Sequence, residues 1–211
     1  MGGKQETVVL VHGLYMHGLF MRPLAWRLRR NGYRTIIFSY PSMRRTPAEN
    51  VSKLLALSSN LDTPVLHFLG HSLGGLLLRH LLACPVGLAP GRVVTLGTPH
   101  GGSCVARALS DRGLCALLGH STEGGLLGDL PPWHGQRQLG SLAGSRALGL
   151  GRLVRPSLRP SDGAVMVSET CLSGMTDHVV LPVSHTGMIF ARSVAEQASC
   201  FLATGRFQHV Q

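Results

Sequence analysis

A serine lies between two glycines at the point where one apolar run of the sequence gives way to another. The sequence GHSLG, residues 70–74, follows the short apolar run 65–69, and leucines at helical spacing come directly after it. A strand that turns this sharply into a helix strains the serine backbone, and glycine is needed where a Cβ would clash. The hydroxyl is then exposed beside the N–H groups that begin the helix. Ser72 is therefore predicted to be a nucleophile; the alternative is that it only caps the helix.

A serine hydroxyl needs a base to remove its proton, and the base needs an acceptor on its other nitrogen. Parallel strands all end at one sheet edge, so the base should follow a strand rather than precede one. His185 follows the sixth predicted strand, whereas His178 begins it, ~20 Å away at ~3.3 Å per residue. Asp162 lies in the long loop after the fifth strand, whereas Asp177 precedes the sixth. We therefore predict a catalytic triad of Ser72, Asp162 and His185. Less well placed acids that stay open are Asp111, Asp129 and Glu169.

The negative charge that forms in acyl transfer needs two backbone N–H donors from different segments, an oxyanion hole. One donor is predicted at Leu73, the first residue of the helix after the serine. The other is predicted at Leu14, in the turn after the first strand, where Gly13 permits close approach. Three residues are candidates for substrate binding. They are His12 and Gly13 in this turn and His100 beyond the fourth strand. For His12 a structural role in the turn is the competing interpretation, and His100 lacks a nearby acid that would make it a rival base.

Strand and helix patterns alternate along the chain, which predicts an α/β fold with a mostly parallel sheet and helices on both faces. Helices are predicted over 21–30 and over 47–57, the second with a capping box of Thr46 and Glu49. We predict a single domain over residues 1–211. Six strands are predicted, at 7–11, 34–40, 65–69, 92–96, 138–142 and 178–183.

Region 101–133 has no strand character and contains a helical run over 105–118. Stretches of this length are usually functional or carry helices of their own. Two interpretations stay open, a lid or cap-like insertion and ordinary connecting structure packed on the sheet edge. Its leucines either line an apolar pocket or belong to the core.

Composition limits the class of protein further. A chain of 211 residues buries a core without a disulfide or metal. Its five cysteines are odd in number and lack metal-ligand spacing, which predicts reduced thiols and no metal site. No apolar stretch approaches the ~20 residues of a membrane span, and the N-terminal apolar run is too short for a signal peptide. We expect a soluble cytoplasmic protein that needs no cofactor.

The net charge is +10, and Lys4 and Lys53 are the only lysines. Such a charge attracts acidic membrane surfaces or nucleic acid. Because aromatic residues are not interleaved with the arginines and no nucleic-acid motif is present, nucleic-acid binding is not expected. A solvated basic face is the favoured interpretation, and peripheral membrane contact stays open, as does the oligomeric state. Arginines of the first quarter of the chain are residues 22, 27, 29, 30, 34, 44 and 45.

The sequences VVLVHGL, GHSLGG, TLGTPHGG, SDGAV and PVSHTGM occur in this order. With them the chain resembles, over 7–207, the lipase and esterase branch of the α/β-hydrolase superfamily, particularly the small bacterial lipases with a six-stranded core. The resemblance implies that the first strand here corresponds to the family's third. Unlike the small secreted lipases, this chain shows no predicted signal peptide, in keeping with a cytoplasmic location. The family's nucleophile, acid, base and oxyanion donors fall on Ser72, Asp162, His185, Leu14 and Leu73.

The resemblance implies a serine hydrolase that cleaves carboxylic esters with an apolar part through an acyl-enzyme intermediate. Such a triad does not distinguish an ester from a thioester or an amide. Thioesterase, amidase and acyltransferase activities therefore stay open. The alternative of another class is a catalytically silent α/β-hydrolase scaffold that binds a partner or a small ligand.

Overall fold

A parallel β-sheet forms the centre of the molecule. The computed structural model describes residues 5–83, 87–130, 132–134, 137–149 and 160–209. Within these residues six strands lie in the order β2-β1-β3-β4-β5-β6, and every neighbouring pair is parallel. The predicted α/β class with a six-stranded sheet is confirmed. The strands are β1 (Thr7–Val11), β2 (Arg34–Phe38), β3 (Leu66–His71), β4 (Val93–Leu96), β5 (Leu139–Gly144) and β6 (Asp177–Leu181).

The inner strands are buried along their whole length, as expected for a parallel sheet covered on both faces. Strand β3 continues two residues beyond the predicted end and reaches His71, so Ser72 follows it directly. Strand β6 ends at Leu181, two residues earlier than predicted, because Pro182 cannot donate to the ladder. The loops that follow β3 and β6 therefore lie at the same edge of the sheet.

Helices cover both faces of this sheet. The second of them has the predicted capping box, in which Glu49 N–H donates to Thr46 Oγ1 at 3.3 Å and Thr46 N–H donates to Glu49 Oε2 at 2.9 Å. The helices are α1 (Arg22–Arg30), α2 (Pro47–Ser59), α3 (Leu73–Leu81), α4 (Cys104–Asp111) and α5 (Arg192–Thr204). Short 3-10 helices lie at Gly18–Met21, Cys115–Leu117, Gly119–Gly124, Val167–Thr170 and Gly187–Ile189.

The core has one layer on each face of the sheet. Val8 and Leu10 of β1 pack with α1 and α5, whereas Val9 and Val11 pack with α2 and α3. This alternation is the two-residue period of a strand covered on both sides. The two layers hold the strand ends in register, and hence the loops that follow them.

Region 101–133 does not form the single helix predicted over 105–118. Helix α4 ends at Asp111, and Gly113 adopts a left-handed conformation with φ +73° that breaks the run. Of the leucines that follow, Leu118 and Leu126 pack back onto α3, whereas Leu114 and Leu117 stay exposed. This third cluster consists of Leu73, Leu76, Ala106, Leu118 and Leu126.

Three further properties concern the described part of the chain. None of its helices is long and apolar enough to cross a lipid bilayer. Its four cysteines, at 104, 115, 171 and 200, are free thiols, and Cys84 lies outside the described residues. No cluster of metal-ligating side chains is found among the residues that the structure describes.

Candidate active site

Ser72 occupies a strained backbone position at the turn from β3 into α3. Its φ is +52° and its ψ is −122°, a combination that side chains with a Cβ rarely adopt. Its hydroxyl makes no capping bond to α3, which speaks against the alternative that this serine only caps the helix. The backbone is held instead by its neighbours: Ser72 N–H donates to the Leu96 carbonyl at 2.8 Å, and Thr98 Oγ1 donates to the Ser72 carbonyl at 2.9 Å.

The glycines around Ser72 are there because backbone passes too close for a side chain. A Cβ on Gly70 would lie 2.6 Å from the Gly75 backbone, and one on Gly74 would lie 2.6 Å from the His12 carbonyl and still closer to that of Val11. Real Cβ contacts do not reach such distances, and backbone at a strand end has little freedom to shift. The close packing of β1 against α3 therefore fixes the turn.

Asp162 and His185 form a partly buried acid–base pair at the same sheet edge. His185 Nδ1 donates to Asp162 Oδ2 at 2.6 Å, and His185 N–H donates to the Asp162 carbonyl at 2.9 Å. The other carboxylate oxygen accepts from Ala164 N–H and Val165 N–H at 2.9 and 2.8 Å. Asp162 is 1% exposed. Because the carboxylate accepts a hydrogen bond from Nδ1–H, the Nδ1 atom keeps its proton. Nε2 is then the nitrogen that is free to accept a proton.

The pair lies beside the serine turn. A Cβ on Gly97, the residue after the Ser72 partner Leu96, would lie 2.9 Å from Asp162 Oδ2 and 3.0 Å from His185 Nδ1. Gly97 has φ +55° and closes the gap between the turn and the pair. Among the described residues no hydrogen bond joins Ser72 Oγ to His185. In unliganded sites this contact is often open and closes with substrate.

His71 contacts His185 through its ring and holds the His185 backbone. It is 1% exposed, its Nε2 donates to the His185 carbonyl at 3.0 Å, and the two rings lie 4.7 Å apart. Burial, with the neighbouring His185 as the next cause, lowers the pKa of His71 to about 3. The ring is therefore neutral at physiological pH and holds the His185 backbone without adding a second charge.

The N–H groups of the two predicted oxyanion donors have no partner among the described residues. Leu73 is the first residue of α3, where the helix supplies no acceptor for its N–H. The Leu14 N–H donates no hydrogen bond within the described chain. The Leu14 turn touches the serine, because a Cβ on Gly13 would lie 3.0 Å from Ser72 Cβ. The next residue, Tyr15, has a φ of +56°, so this turn is strained as well.

His12 is fully buried and its ring is fully bonded. Its Nδ1 donates to the Gly13 carbonyl at 2.9 Å, and its Nε2 accepts from Tyr40 N–H at 3.1 Å. The ring also stacks on Tyr40 at 4.5 Å, and the Tyr40 hydroxyl donates to the His12 carbonyl at 3.0 Å. These contacts assign His12 to the support of the Leu14 turn, the competing interpretation of the sequence, rather than to substrate contact.

His100, which is predicted to line the substrate site, is buried with its ring against β4. It is 4% exposed, and its Nε2 shares a hydrogen bond with Thr95 Oγ1 at 3.0 Å. Arg79 Nη1 donates to its backbone carbonyl at 2.7 Å. Burial, together with nearby Arg79, lowers the pKa of His100 to about 3. The sequence shows that the residue follows a strand end but not that its ring turns back onto that strand.

Of the acids left open, Glu169 has a structural role near the site. Its Oε1 accepts from Cys104 N–H, at the start of α4, at 2.6 Å, and its Oε2 accepts from Met166 N–H at 2.9 Å. Glu169 therefore ties region 101–133 to the loop that carries Asp162. This link was not predicted from the sequence. The contacts of Gly97, Thr98 and His71 were not predicted either, although these residues lie within the motifs TLGTPHGG and GHSLGG.

A buried apolar cluster adjoins the predicted oxyanion donors. Leu73 packs with Leu118 and Leu126 of region 101–133, and Leu14 packs against the same cluster. Leu114 and Leu117 are 43% and 50% exposed. A groove of about 590 Å³ runs between the Leu14 turn and the residues after β2, among them Tyr15 and Arg44. Exposed leucines and an open groove therefore lie beside the Leu14 turn.

The α/β-hydrolase architecture is defined by three features that are present here. They are a parallel sheet, a strained serine after β3, and an acid–histidine pair whose members follow β5 and β6. The family model described as the alpha/beta hydrolase family matches residues 8–204. This chain therefore belongs to the alpha/beta hydrolase family. A comparison with curated proteins found no significant match.

Several solved structures share the fold. A lipase of Bacillus licheniformis in its mature form has a TM-score of 0.71 and 20% identity, over 96% of this chain and 92% of the lipase. A metagenomic carboxyl esterase has a TM-score of 0.66 and 17% identity, over 88% and 66%. The thioesterase domain from a nocardicin cluster has a TM-score of 0.61 and 16% identity, over 95% of each chain. At these identities the likeness concerns the fold.

Proposed function

We propose that the protein is a serine hydrolase that cleaves carboxylic esters with an apolar acyl or alcohol part. The observation that carries the proposal is the partly buried Asp162–His185 pair, joined at 2.6 Å, beside a serine with φ +52° at a strand–helix turn. Lipases and esterases among the structures of the same fold agree with it. Exposed Leu114 and Leu117 favour a substrate with a hydrocarbon part. They lie near the Leu14 turn, since the Tyr15 hydroxyl donates to the Leu117 carbonyl.

In the proposed reaction Ser72 Oγ attacks the ester carbonyl carbon while His185 Nε2 takes the hydroxyl proton. The carbonyl oxygen becomes an oxyanion and accepts from the Leu14 and Leu73 N–H groups. The tetrahedral intermediate collapses, the carbon–oxygen bond to the alcohol breaks, and His185 returns the proton to the alcohol. Water then attacks the acyl-serine by the same route and releases the acid.

The test is hydrolysis of p-nitrophenyl esters from acetyl to palmitoyl by the wild type, by Ser72→Ala and by Ser193→Ala. Ser193 is exposed on α5 and serves as the matched control. We expect turnover that is lost in Ser72→Ala alone, together with labelling of Ser72 by a fluorophosphonate. The chain-length profile then measures the size of the apolar pocket.

Rates on matched oxygen esters, thioesters and amides distinguish esterase activity from thioesterase and amidase activity. The comparison is needed because a thioesterase domain shares the fold. A dominant rate on the thioester or amide would replace the ester as the substrate class while keeping the same residues. Absence of both labelling and turnover would instead favour a silent scaffold. Esterase activity that survives in Ser72→Ala would refute the assignment of the nucleophile.

A further inference from the structure

The outer face of α1 combines arginines with an exposed indole. Trp26 is 49% exposed, and the Arg30 guanidinium lies 4.9 Å from the centre of its ring. Arg22 and Arg29 are exposed on the same helix, and its sequence RPLAWRLRR contains no acidic residue. Basic side chains around an exposed tryptophan are the composition of helices that lie in a membrane interface. The buried side of the helix consists of Leu24, Ala25 and Leu28.

Helix α5 extends this positive surface. An open groove of about 440 Å³ lies between α1 and α5, and guanidinium groups of Arg27, Arg30 and Arg192 line it. Its single acidic lining residue within the described chain, Glu196, pairs with Arg192 at 2.7 Å. Three guanidinium groups therefore face one carboxylate, and an excess of positive charge remains in the groove.

Exposed apolar side chains lie where both helices begin. Leu19 and Phe20 precede α1 and are 59% and 48% exposed, and Phe190 precedes α5 and is 48% exposed. Both helices follow parallel strands and pack in one core cluster on the same face of the sheet. They therefore start at the same sheet edge, so these apolar side chains lie at the beginnings of the two helices that form the basic groove.

We propose that this surface, formed by residues 19–30 and 190–196, docks on an anionic phospholipid bilayer. Trp26 and the phenyl groups of Phe20 and Phe190 enter the headgroup region, while the arginines bind lipid phosphates. The net charge of +10 attracts the chain to such a surface over distance. The surface contains none of Ser72, Asp162 and His185, so the proposal is independent of the ester chemistry.

The test is co-sedimentation of the full-length chain with phosphatidylcholine vesicles that do or do not contain phosphatidylglycerol. The Ser72→Ala background keeps the lipid intact. Tryptophan emission reports insertion, because Trp133 is buried and Trp26→Phe removes the signal of the exposed indole. Arg30→Glu is compared with Lys53→Glu, an equal charge change at an exposed position on α2, which covers the other face of the sheet.

We expect binding to the anionic vesicles and a shift of Trp26 emission to shorter wavelength. Arg30→Glu should bind at least about fivefold more weakly, the factor that corresponds to ~1 kcal/mol per basic residue. Lys53→Glu should bind nearly as the parent does, and all variants with an intact Ser72 should hydrolyse a water-soluble ester equally. Lack of binding to anionic vesicles would overturn the proposal. Equal losses in the two charge variants, or binding without an emission shift, would also refute docking at this face. A dimer that buries Trp26 would assign the face to a second copy of the chain.

Discussion

The contacts of single residues decide which nitrogen of His185 carries a proton. Asp162 Oδ1 accepts from two backbone N–H groups, so an asparagine there would turn its oxygen to them and its amide group to His185. The imidazole would then have to accept at Nδ1 and carry its proton on Nε2. In that tautomer Nε2 already carries a proton, so the imidazole could not accept the proton of the Ser72 hydroxyl.

For Asp162→Asn we therefore expect a kcat for a soluble ester that is lower by about three to four powers of ten, at nearly unchanged KM. Steady-state kinetics measure it, and circular dichroism verifies the fold. The matched variant Asp129→Asn changes an exposed acid outside the site and should keep full activity. Comparable losses in both variants would contradict the assignment of Asp162.

His71 acts through His185 and is a positioning residue. In His71→Leu the His185 carbonyl loses its donor, and we expect kcat to fall by about tenfold to a hundredfold through misplacement of the imidazole, with KM little changed. His71→Gln keeps an N–H near the Nε2 position and should recover part of the rate. If glutamine is no better than leucine, the hydrogen bond has no such role and His71 contributes packing alone.

At the scale of elements, the turn between β3 and α3 depends on how closely β1 approaches. Alanine is intrinsically better than glycine inside a helix by ~1 kcal/mol, so Gly74→Ala would stabilise an isolated α3. In the protein its Cβ would overlap the carbonyls of Val11 and His12. Because overpacking against backbone typically costs ~1–3 kcal/mol, the clash should win and the free energy of unfolding should fall by that order.

Denaturant unfolding of Gly74→Ala and Gly101→Ala tests this expectation. A Cβ on Gly101 would meet nothing within 4 Å, and Gly101 has no left-handed φ, so this control should unfold at nearly the wild-type midpoint. An unchanged midpoint in Gly74→Ala would mean that β1 and α3 separate more easily than their packing indicates.

The elements and the serine turn were predictable because their signals are local. Apolar runs of four to six residues and the glycines around Ser72 specify strands and a sharp turn within one short stretch. The extent of α4 was mispredicted because leucines continue beyond Gly113, where the backbone turns. The partners of His71 and His100 were not predictable, since His71 contacts a residue 114 positions away and the direction of the His100 ring depends on tertiary packing.

At the scale of the whole molecule, buried neutral histidines make stability depend on pH. Burial depresses the pKa of His71 and His100 from 6.5 to about 3 in the folded chain. Between these values the unfolded chain binds protons that the folded chain does not. The stabilisation is therefore fully present above pH 6.5 and is lost progressively as the pH falls toward 3.

Chemical unfolding at a series of pH values measures this loss. Each such histidine contributes up to one proton to the slope, ~1.4 kcal/mol per pH unit. His100→Leu should flatten the slope by about that amount, whereas His134→Leu, at an exposed position, should leave it unchanged. An identical slope in the wild type and His100→Leu would show that His100 does not stay neutral in the folded chain.

Acid and base are joined twice, once through their side chains and once through their backbones. The two bonds close a ring, so a shift of either loop carries Asp162 and His185 together and leaves the imidazole aimed as before. The Asp162–His185 unit then moves as one body against the serine turn. In the proposed triad, alignment then depends on where this unit lies against the serine turn, above all on the separation of Ser72 Oγ and His185 Nε2.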